Sequence, residues 1–535
     1  MLESALLKWE GVLGREYVVT DEAQLAEAST ATFSTRQRIP AILYPQTRTQ
    51  IQACLRVATE YGVPIYPVST GKNWGYGSRV PASSECVLLD LRRMNRILEF
   101  NEELAYVTVE PGVTQRQLWE YLQEKRSKLW IDATGSSPDC SLIGNAVERG
   151  FGHTPYGDHA SNICGFEVVF ANGDCINTGF SRFPNTQSGP IYRPGVGPSL
   201  DGLFTQSNLG VVTRMTQWLM PAPEYFQAFF FRSDRDDSLA PIINALRPLR
   251  LDGTLRSSVH VGNDYKVLSG IRQYPWDATG GTTPLVPGVV KKFRKEMNFG
   301  AWNGSGGLYG TRAQVAEGRR LLRRALAGGV DNLQFLDARR LSLAARLARP
   351  IRAMGGWDLS RTLELVRPLF GLLQGIPTDR SLSSAYWRKK SAPPAQMDPD
   401  RDGCGLIWCS RVAPAEGKHA VILADTSSEI LLRHGFEPLL SITLNTDRSI
   451  ICVISLTYDR NVEGEDERAR SAIDELENAL TKKGYLPYRL GIQSMDQMGG
   501  CGPYAGLLRA IKKFVDPAEI LAPGRYVAGG EPKGI

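Results

Sequence analysis

The 535-residue chain has no apolar run approaching the length of a bilayer-spanning helix, so no membrane segment is expected. It has no signal-peptide pattern either. The opening MLESALLKWEGVLGREY carries acids early, where an apolar core would stand, and reads as an amphipathic helix. Cys-x-x-Cys pairs are missing. The nine cysteines are scattered and odd in number, which argues against a disulfide framework and for a reducing, cytoplasmic setting. No metal site is expected. Blocks of one charge sign are lacking too. The net charge of +6 is spread along the chain. The densest basic run, RRLLRRALA (319–327), has helical spacing and reads as a solvated helix face, so no nucleic-acid partner is expected. There is no internal repeat.

What is present is ordinary globular composition, 42% hydrophobic and 22% charged, in a chain too long for one core. Two large domains are expected. From Arg38 to about Pro223, short strand and helix signals alternate. PAILYP (40–45), VPIYPVS (63–69), ECVLLDLRRM (85–94) and AYVTVEPG (105–112) read as strands. TRTQIQACLRVATEYG (47–62) and VTQRQLWEYLQEK (113–125) read as helices. GFEVVFANGDCINTG (165–179) reads as a hairpin turning at Asn172-Gly173. After Glu224 the helices lengthen, as in 311–329 and 463–484, with apolar strands such as SIICVISLTYD (449–459) between them. SAPPAQMDPDRDG (391–403) reads as a loop. The fold class is therefore α+β. The expected domains are 1–223 (core 38–223) and 224–487, with 488–535 returning to the first.

Two glycine-rich regions carry the chemistry. PVSTGKNWGYGS (67–78) follows a strand directly, and three glycines in seven residues let the backbone aim several N–H groups at an anion. It is no P-loop, because no Gly-Lys-Ser/Thr closes it, and no GxGxxG opens a helix. The second region, 129–165, holds six glycines in a long irregular stretch, and such stretches are usually functional. DGLFTQSNLGVVTRM (201–215) is a third, polar then β-branched element.

Together with VEPGVT, IGNAVERGFGHTPYGDH, WLMP, QGIP, PYRLGIQSMDQM and LAPG, these segments resemble the vanillyl-alcohol oxidase and p-cresol methylhydroxylase family over most of the chain. The resemblance implies an FAD-binding α+β domain of the p-cresol methylhydroxylase type and a cap over the flavin. It implies cofactor contacts at Val68, Ser69, Thr70, Gly71, Lys72, Asn73 and Gly75, then at Ser136, Ser137, Ser141, Gly144 and Asn145. Further contacts are implied at Gly152, Tyr156, Gly157, Gly210, Val212 and Arg489. The family's phenol-binding trio falls on Tyr76, Tyr488 and Arg489. Two hydroxyls and a guanidinium stabilise a phenolate, whose oxygen lone pair drives hydride from the para benzylic carbon to flavin N5. The resulting p-quinone methide takes up water, loses a proton to give an alkene, or loses CO2.

The sequence departs from the family twice. Near flavin N5 it reads GSSPDCS, which puts Ser136 or Ser137 there, with Asp139 as the weaker candidate. The positions of covalent flavin attachment fall on Arg448 or Ser449 and near Phe436–Leu439, with neither histidine nor tyrosine. His434 reads as a surface residue, and FAD is expected to be non-covalent. The electron acceptor is O2 or a separate cytochrome, since the chain lacks Cys-x-x-Cys-His, and a homodimer is expected. The alternatives are a flavoprotein acting on 2-hydroxy acids or sugar lactones, and a flavin-binding electron-transfer subunit. Tyr76 paired with Tyr488 and Arg489 argues against the former.

Overall fold

The computed structural model describes residues 1–353, 359–498 and 502–527. Up to residue 221 the chain builds three sheets. In the first, the strands Ile42–Leu43, Val87–Asp90 and Ile65–Val68 run parallel in that spatial order, with Val18–Val19 antiparallel at the edge. The helix Arg48–Tyr61 supplies the parallel crossover. Thr47 caps its start through the Gln50 N–H, and Gly62 ends it in the left-handed conformation. Its apolar stripe, Ile51, Cys54, Leu55 and Ala58, is fully buried in a cluster that also holds Ala5, Trp9 and Leu13 of the helix Leu2–Leu13.

The second sheet is antiparallel and five-stranded, with Val211–Trp218 at its centre. The expected hairpin is present. Ile163–Val169 pairs with Cys175–Asn177, and Gly173 takes a positive φ of 83° at the turn. The strands Leu129–Trp130 and Met220–Pro221 form the third, two-stranded sheet.

A single antiparallel sheet of seven strands takes its members from residues 225 to 459. Its order is Asn332–Leu336, Tyr225–Ser233, Trp302–Gly310, Val259–Asn263, Leu439–Leu444, Ser449–Asp459 and Cys404–Pro414. Alternate side chains of a strand face opposite sides of the sheet. In Ser449–Asp459, Ile450, Cys452, Ile454, Leu456 and Tyr458 are fully buried in the largest core cluster, beneath the helices Gly417–Arg433 and Glu465–Lys482. Val453 and Ser455 project from the opposite face.

The tail comes back to the first sheet. Ile65 donates to the Ile520 carbonyl and accepts from the Ala522 N–H. Of the expected return over 488–535, residues 499–501 and 528–535 lie outside the described residues. The basic run lies on the helix Arg312–Leu326. Leu322 and Leu326 are buried there, and Arg319 and Arg323 stack on Phe335. Among the described residues no helix is long and apolar enough to cross a membrane, and no cluster of His, Cys, Asp or Glu could hold a metal.

Candidate active site

One cavity runs between the first two sheets and the inner face of the seven-stranded sheet. Its wall takes in residues 66–74 and Tyr76, then Gly135, Ser136, Cys140, Ser141, Gly144, Asn145 and Glu148, then Ser207, Asn208, Gly210 and Val212, and finally Tyr488, Arg489, Leu521, Ala522 and Arg525. The seven-stranded sheet and its flanking helix contribute His260, Lys266, Trp408, Ser441, Thr443 and Val453.

The loop after Val68 is held open from outside. Thr32 Oγ1 accepts the Gly75 N–H at 2.9 Å, and the Gly75 carbonyl accepts the Trp408 N–H at 3.2 Å. Gly71 and Gly75 sit at φ 72° and 77°, where a side chain is strained. Among the described residues no acceptor faces the amide groups of Thr70, Gly71, Lys72 or Asn73. Four unpaired N–H groups in a turn lining a cavity make an anion nest. Its opposite wall is the helix Leu142–Val147, which stands inside the stretch expected to be irregular. Ser141 caps it, accepting the Gly144 N–H at 2.9 Å and donating to the Pro111 carbonyl at 2.6 Å. The two walls pack so closely that a Cβ at Gly144 would collide with Ser69 Oγ.

Val68 to Asn73 line the cavity, as do Ser136, Ser141, Gly144, Asn145, Gly210 and Val212. Five of the expected contacts stand behind the wall. Gly75 packs against the Trp408 ring, and Ser137 is buried with its carbonyl taken by Gln115. Gly152 lies against the Asp132 carboxylate, Gly157 closes a turn onto Gly152 and Thr154, and the Tyr156 N–H goes to Thr154 Oγ1. Asp139 points outward into a half-exposed ion pair with Arg116, 2.9 Å long, so of the three candidates Ser136, Ser137 and Asp139 it is Ser136 that lines the cavity. None of the positions considered for covalent attachment faces the cavity. Phe436 is in the core under the seven-stranded sheet, Ser449 bonds to Thr446, and His434 pairs with Glu475 at 2.8 Å.

Tyr76, Tyr488 and Arg489 converge from opposite ends of the chain. The Tyr76 hydroxyl is 3.0 Å from Ser410 Oγ on the strand Cys404–Pro414. The Arg489 guanidinium lies over the Tyr76 ring and bonds to Asn73 Oδ1. Gln206 holds the Tyr488 carbonyl at 2.8 Å, and Phe151 packs against its ring at 5.6 Å. Burial, reinforced by Tyr488, pushes the Tyr76 hydroxyl well above the usual tyrosine range, so it stays a neutral donor. Burial pulls against the Arg489 charge, but Glu148 and the two tyrosines outweigh it and hold the group protonated.

Glu148 and Arg525 complete this end, although sequence reasoning passed over them inside GNAVERG and next to LAPG. Glu148 binds Arg525, and its Oε2 lies 3.3 Å from Arg489 Nε without hydrogen-bond alignment. Burial alone would raise the Glu148 carboxyl; Arg525 and then Arg489 bring it below the usual range. Two guanidiniums share one carboxylate, leaving one uncompensated positive charge at the cavity wall.

Residues 39–179 match a family model described as FAD binding domain. The chain is 47% identical to the 1'-carboxy-chondrochloren decarboxylase of Chondromyces crocatus, over 98% of this chain and 97% of that one. It is 31% identical to the flavoprotein subunit of the hydroxylating 4-cresol dehydrogenase of Pseudomonas putida, over 97% and 94%. The chain belongs to the vanillyl-alcohol oxidase and p-cresol methylhydroxylase family. Two solved structures share the family fold along the whole chain. They are p-cresol methylhydroxylase with substrate bound (TM-score 0.88, 29% identity, 98% and 97% covered) and the 4-ethylphenol oxidase of Gulosibacter chungangensis with isoeugenol (0.89, 28%, 98% and 97%). This family member is an FAD-dependent oxidoreductase with the two-domain α+β flavoprotein fold.

The residues of this flavoprotein fit FAD. The unpaired amides of Thr70–Asn73 suit a pyrophosphate. Asn208 Oδ1 is buried without a partner at the cavity wall and can accept from a ring N–H or a ribose hydroxyl. The cap-side polar residues His260, Lys266, Trp408, Ser441 and Thr443 gave no sequence signal. They come from separate strands and a helix that only the sheet order brings together.

Proposed function

We propose that the flavoprotein oxidises a para-substituted phenol at its benzylic carbon by way of a p-quinone methide. The observation that carries this reading is the convergence of Tyr76, Tyr488 and Arg489 beside one uncompensated positive charge, a setting that fits a single phenolate. The named activities of the relatives support it: one acts on 4-cresol, and the other is a decarboxylase.

In this reading the loop at 68–73 and the helix Leu142–Val147 hold the cofactor, within an FAD domain of residues 1–223 plus the return from 488. Residues 224–487 form the cap. When bound, FAD accepts the hydride from the benzylic carbon. Tyr76 and Tyr488 donate hydrogen bonds to the phenol oxygen, and Arg489 fixes its negative charge. A free phenol ionises near pH ~10, and each unit of lowering corresponds to about 1.36 kcal/mol of preferential binding of the anion. Ser410 orients the Tyr76 hydroxyl. His153 and His260 pack at 4.6 Å between ring centres in the wall. Burial, helped at His260 by His153, lowers both below the usual histidine range, so they add no charge. FAD is held without a covalent bond, electrons pass to O2 or a separate cytochrome, and the assembly is a homodimer.

Anaerobic mixing with a panel of para-alkylphenols tests the reading: the yellow flavin should bleach. The para-methoxy analogue of any active phenol should leave the flavin oxidised, because its oxygen cannot become an anion. Bleaching at equal speed by both would overturn the mechanism.

A further inference from the structure

Lys266 stands in the cavity wall, and among the described residues nothing neutralises it. It lies near the start of the helix Asp264–Ile271, which Asn263 caps through the Lys266 N–H at 3.0 Å. Its side chain reaches the inner face of the seven-stranded sheet. There the ammonium is 3.5 Å from Ser455 Oγ and 5.4 Å from the centre of the Trp408 ring. Among the described residues no carboxylate pairs with it. Acids elsewhere in this unit are matched: Asp264 with Arg294, Glu437 with Arg388, Asp459 with Lys389. A buried cation without a counter-ion is costly unless an anion arrives to meet it.

Resting on the phenol reading above, we propose that the Lys266 ammonium holds the carboxylate of the substrate. The substrate is then a para-hydroxyphenyl acid whose carboxylate stands on the carbon next to the benzylic one.

The spacing supports this assignment. Trp408 and Ser410 are two residues apart on one strand, so their side chains share a face about 7 Å apart. Ser410 bonds to the Tyr76 hydroxyl at the phenol end, and Trp408 lies under the ammonium. The ammonium is therefore about one strand step from the oxyanion donors, on the order of 10 Å. In such an acid the phenol oxygen and the carboxylate are roughly 8 Å apart by ordinary covalent lengths, with a hydrogen bond to add at each end. Burial brings the amine down to about 8, which leaves it largely protonated at neutral pH and ready to pair.

The chemistry balances without another reagent. Loss of the phenol proton and of a benzylic hydride, taken by the flavin, leaves a p-quinone methide carrying the carboxylate. The bond to the carboxylate carbon then breaks and CO2 leaves. The freed electron pair forms the new C=C bond, and the exocyclic pair returns through the ring to the oxygen as phenolate, facing Arg489. Negative charge thus moves from the Lys266 end to the Arg489 end. Lys266 holds the starting acid more strongly than the departing CO2, so it selects and positions the acid and does not speed bond breaking.

Equilibrium binding to the FAD-loaded protein, its flavin reduced beforehand so that neither probe is oxidised, tests this, with para-hydroxyphenylpropanoate and its neutral amide as probes. The acid should bind at least tenfold tighter than the amide. Lys266→Met should weaken the acid about 10- to 100-fold more than the amide, and Lys266→Arg should restore the preference. Product analysis with the acid should give para-vinylphenol and CO2. Equal binding of acid and amide, or a preference that survives Lys266→Met, overturns the proposal. Bleaching by para-ethylphenol is read separately in the unaltered protein. If it fails, the phenol reading itself falls; if it succeeds while acid and amide bind alike, only the Lys266 assignment falls.

Discussion

The Arg489 guanidinium sits 4.5 Å from the centre of the Tyr76 ring, so residues 413 positions apart in the chain form one stacked unit at one end of the cavity. Arg489→Met removes the charge and keeps much of the volume over the ring. The loss of one charge-assisted donor should cost about 2–4 kcal/mol in the transition state, roughly 30- to 1000-fold in the rate of flavin reduction. Tyr488→Phe keeps its ring against Phe151 and should cost less. Both variants should retain FAD. Stopped-flow reduction by an active phenol measures the effect; an unchanged rate in Arg489→Met would remove the residue from the chemistry.

Glu148→Gln should act on stability more than on rate. It leaves Arg489 and Arg525 as neighbouring buried cations with no anion between them. Breaking a buried ion pair by removing one partner costs about 3–5 kcal/mol. We expect a lower melting temperature and weaker FAD retention in this variant, measured by thermal unfolding and flavin content.

Asp400 gives a pH signature. It comes from the loop 391–403, accepts from Ser78 Oγ at 2.7 Å and Trp74 Nε1 at 3.1 Å, and ties the glycine loop to the cap. Burial raises its carboxyl to about 7, with the Ser78 bond opposing and Asp398 adding. The unfolded chain loses this proton near pH ~3.9. The folded state therefore holds the proton longer, and this group's stabilisation is full below pH ~4 and lost as pH rises through about 7. Asp400→Asn mimics the protonated form. Its melting temperature, relative to the unaltered protein, should climb from pH ~5 to pH ~8. A flat difference would mean that Asp400 is ionised throughout.

Acid precipitation should release the flavin into the supernatant, because the positions considered for attachment lie away from the cavity. Fluorescence that stays with the denatured polypeptide would show a covalent link from another residue.

Much of this was legible in local sequence. The strand 449–459 and the helix 465–482 follow their apolar periods, and the anion nest follows from glycines directly after a strand. The helix Leu142–Val147 was not legible. It has only six residues, and its stability comes from Ser141 and from packing on Ser69 more than from any apolar stripe. Lys266, Trp408 and His260 were hidden for another reason. Each looks like an ordinary residue of a helix or strand, and their common cavity exists only because Val259–Asn263 and Cys404–Pro414 flank the pair Leu439–Leu444 and Ser449–Asp459 in one sheet. Glu148 and Arg525 stood inside or beside noticed motifs, but their pairing joins residues 377 positions apart.

The return of the tail sets an order of events during synthesis. Arg525 bonds to Tyr66 across 459 positions, and Leu521 and Ala522 form part of the cavity wall. A nascent chain that has emerged only as far as the cap therefore has a nucleotide chamber with one side open. Domains otherwise form from the N-terminal end as the ribosome advances. Here the chamber cannot close until residues near 525 leave the exit tunnel, so tight capture of the cofactor is a late event that follows folding of the cap.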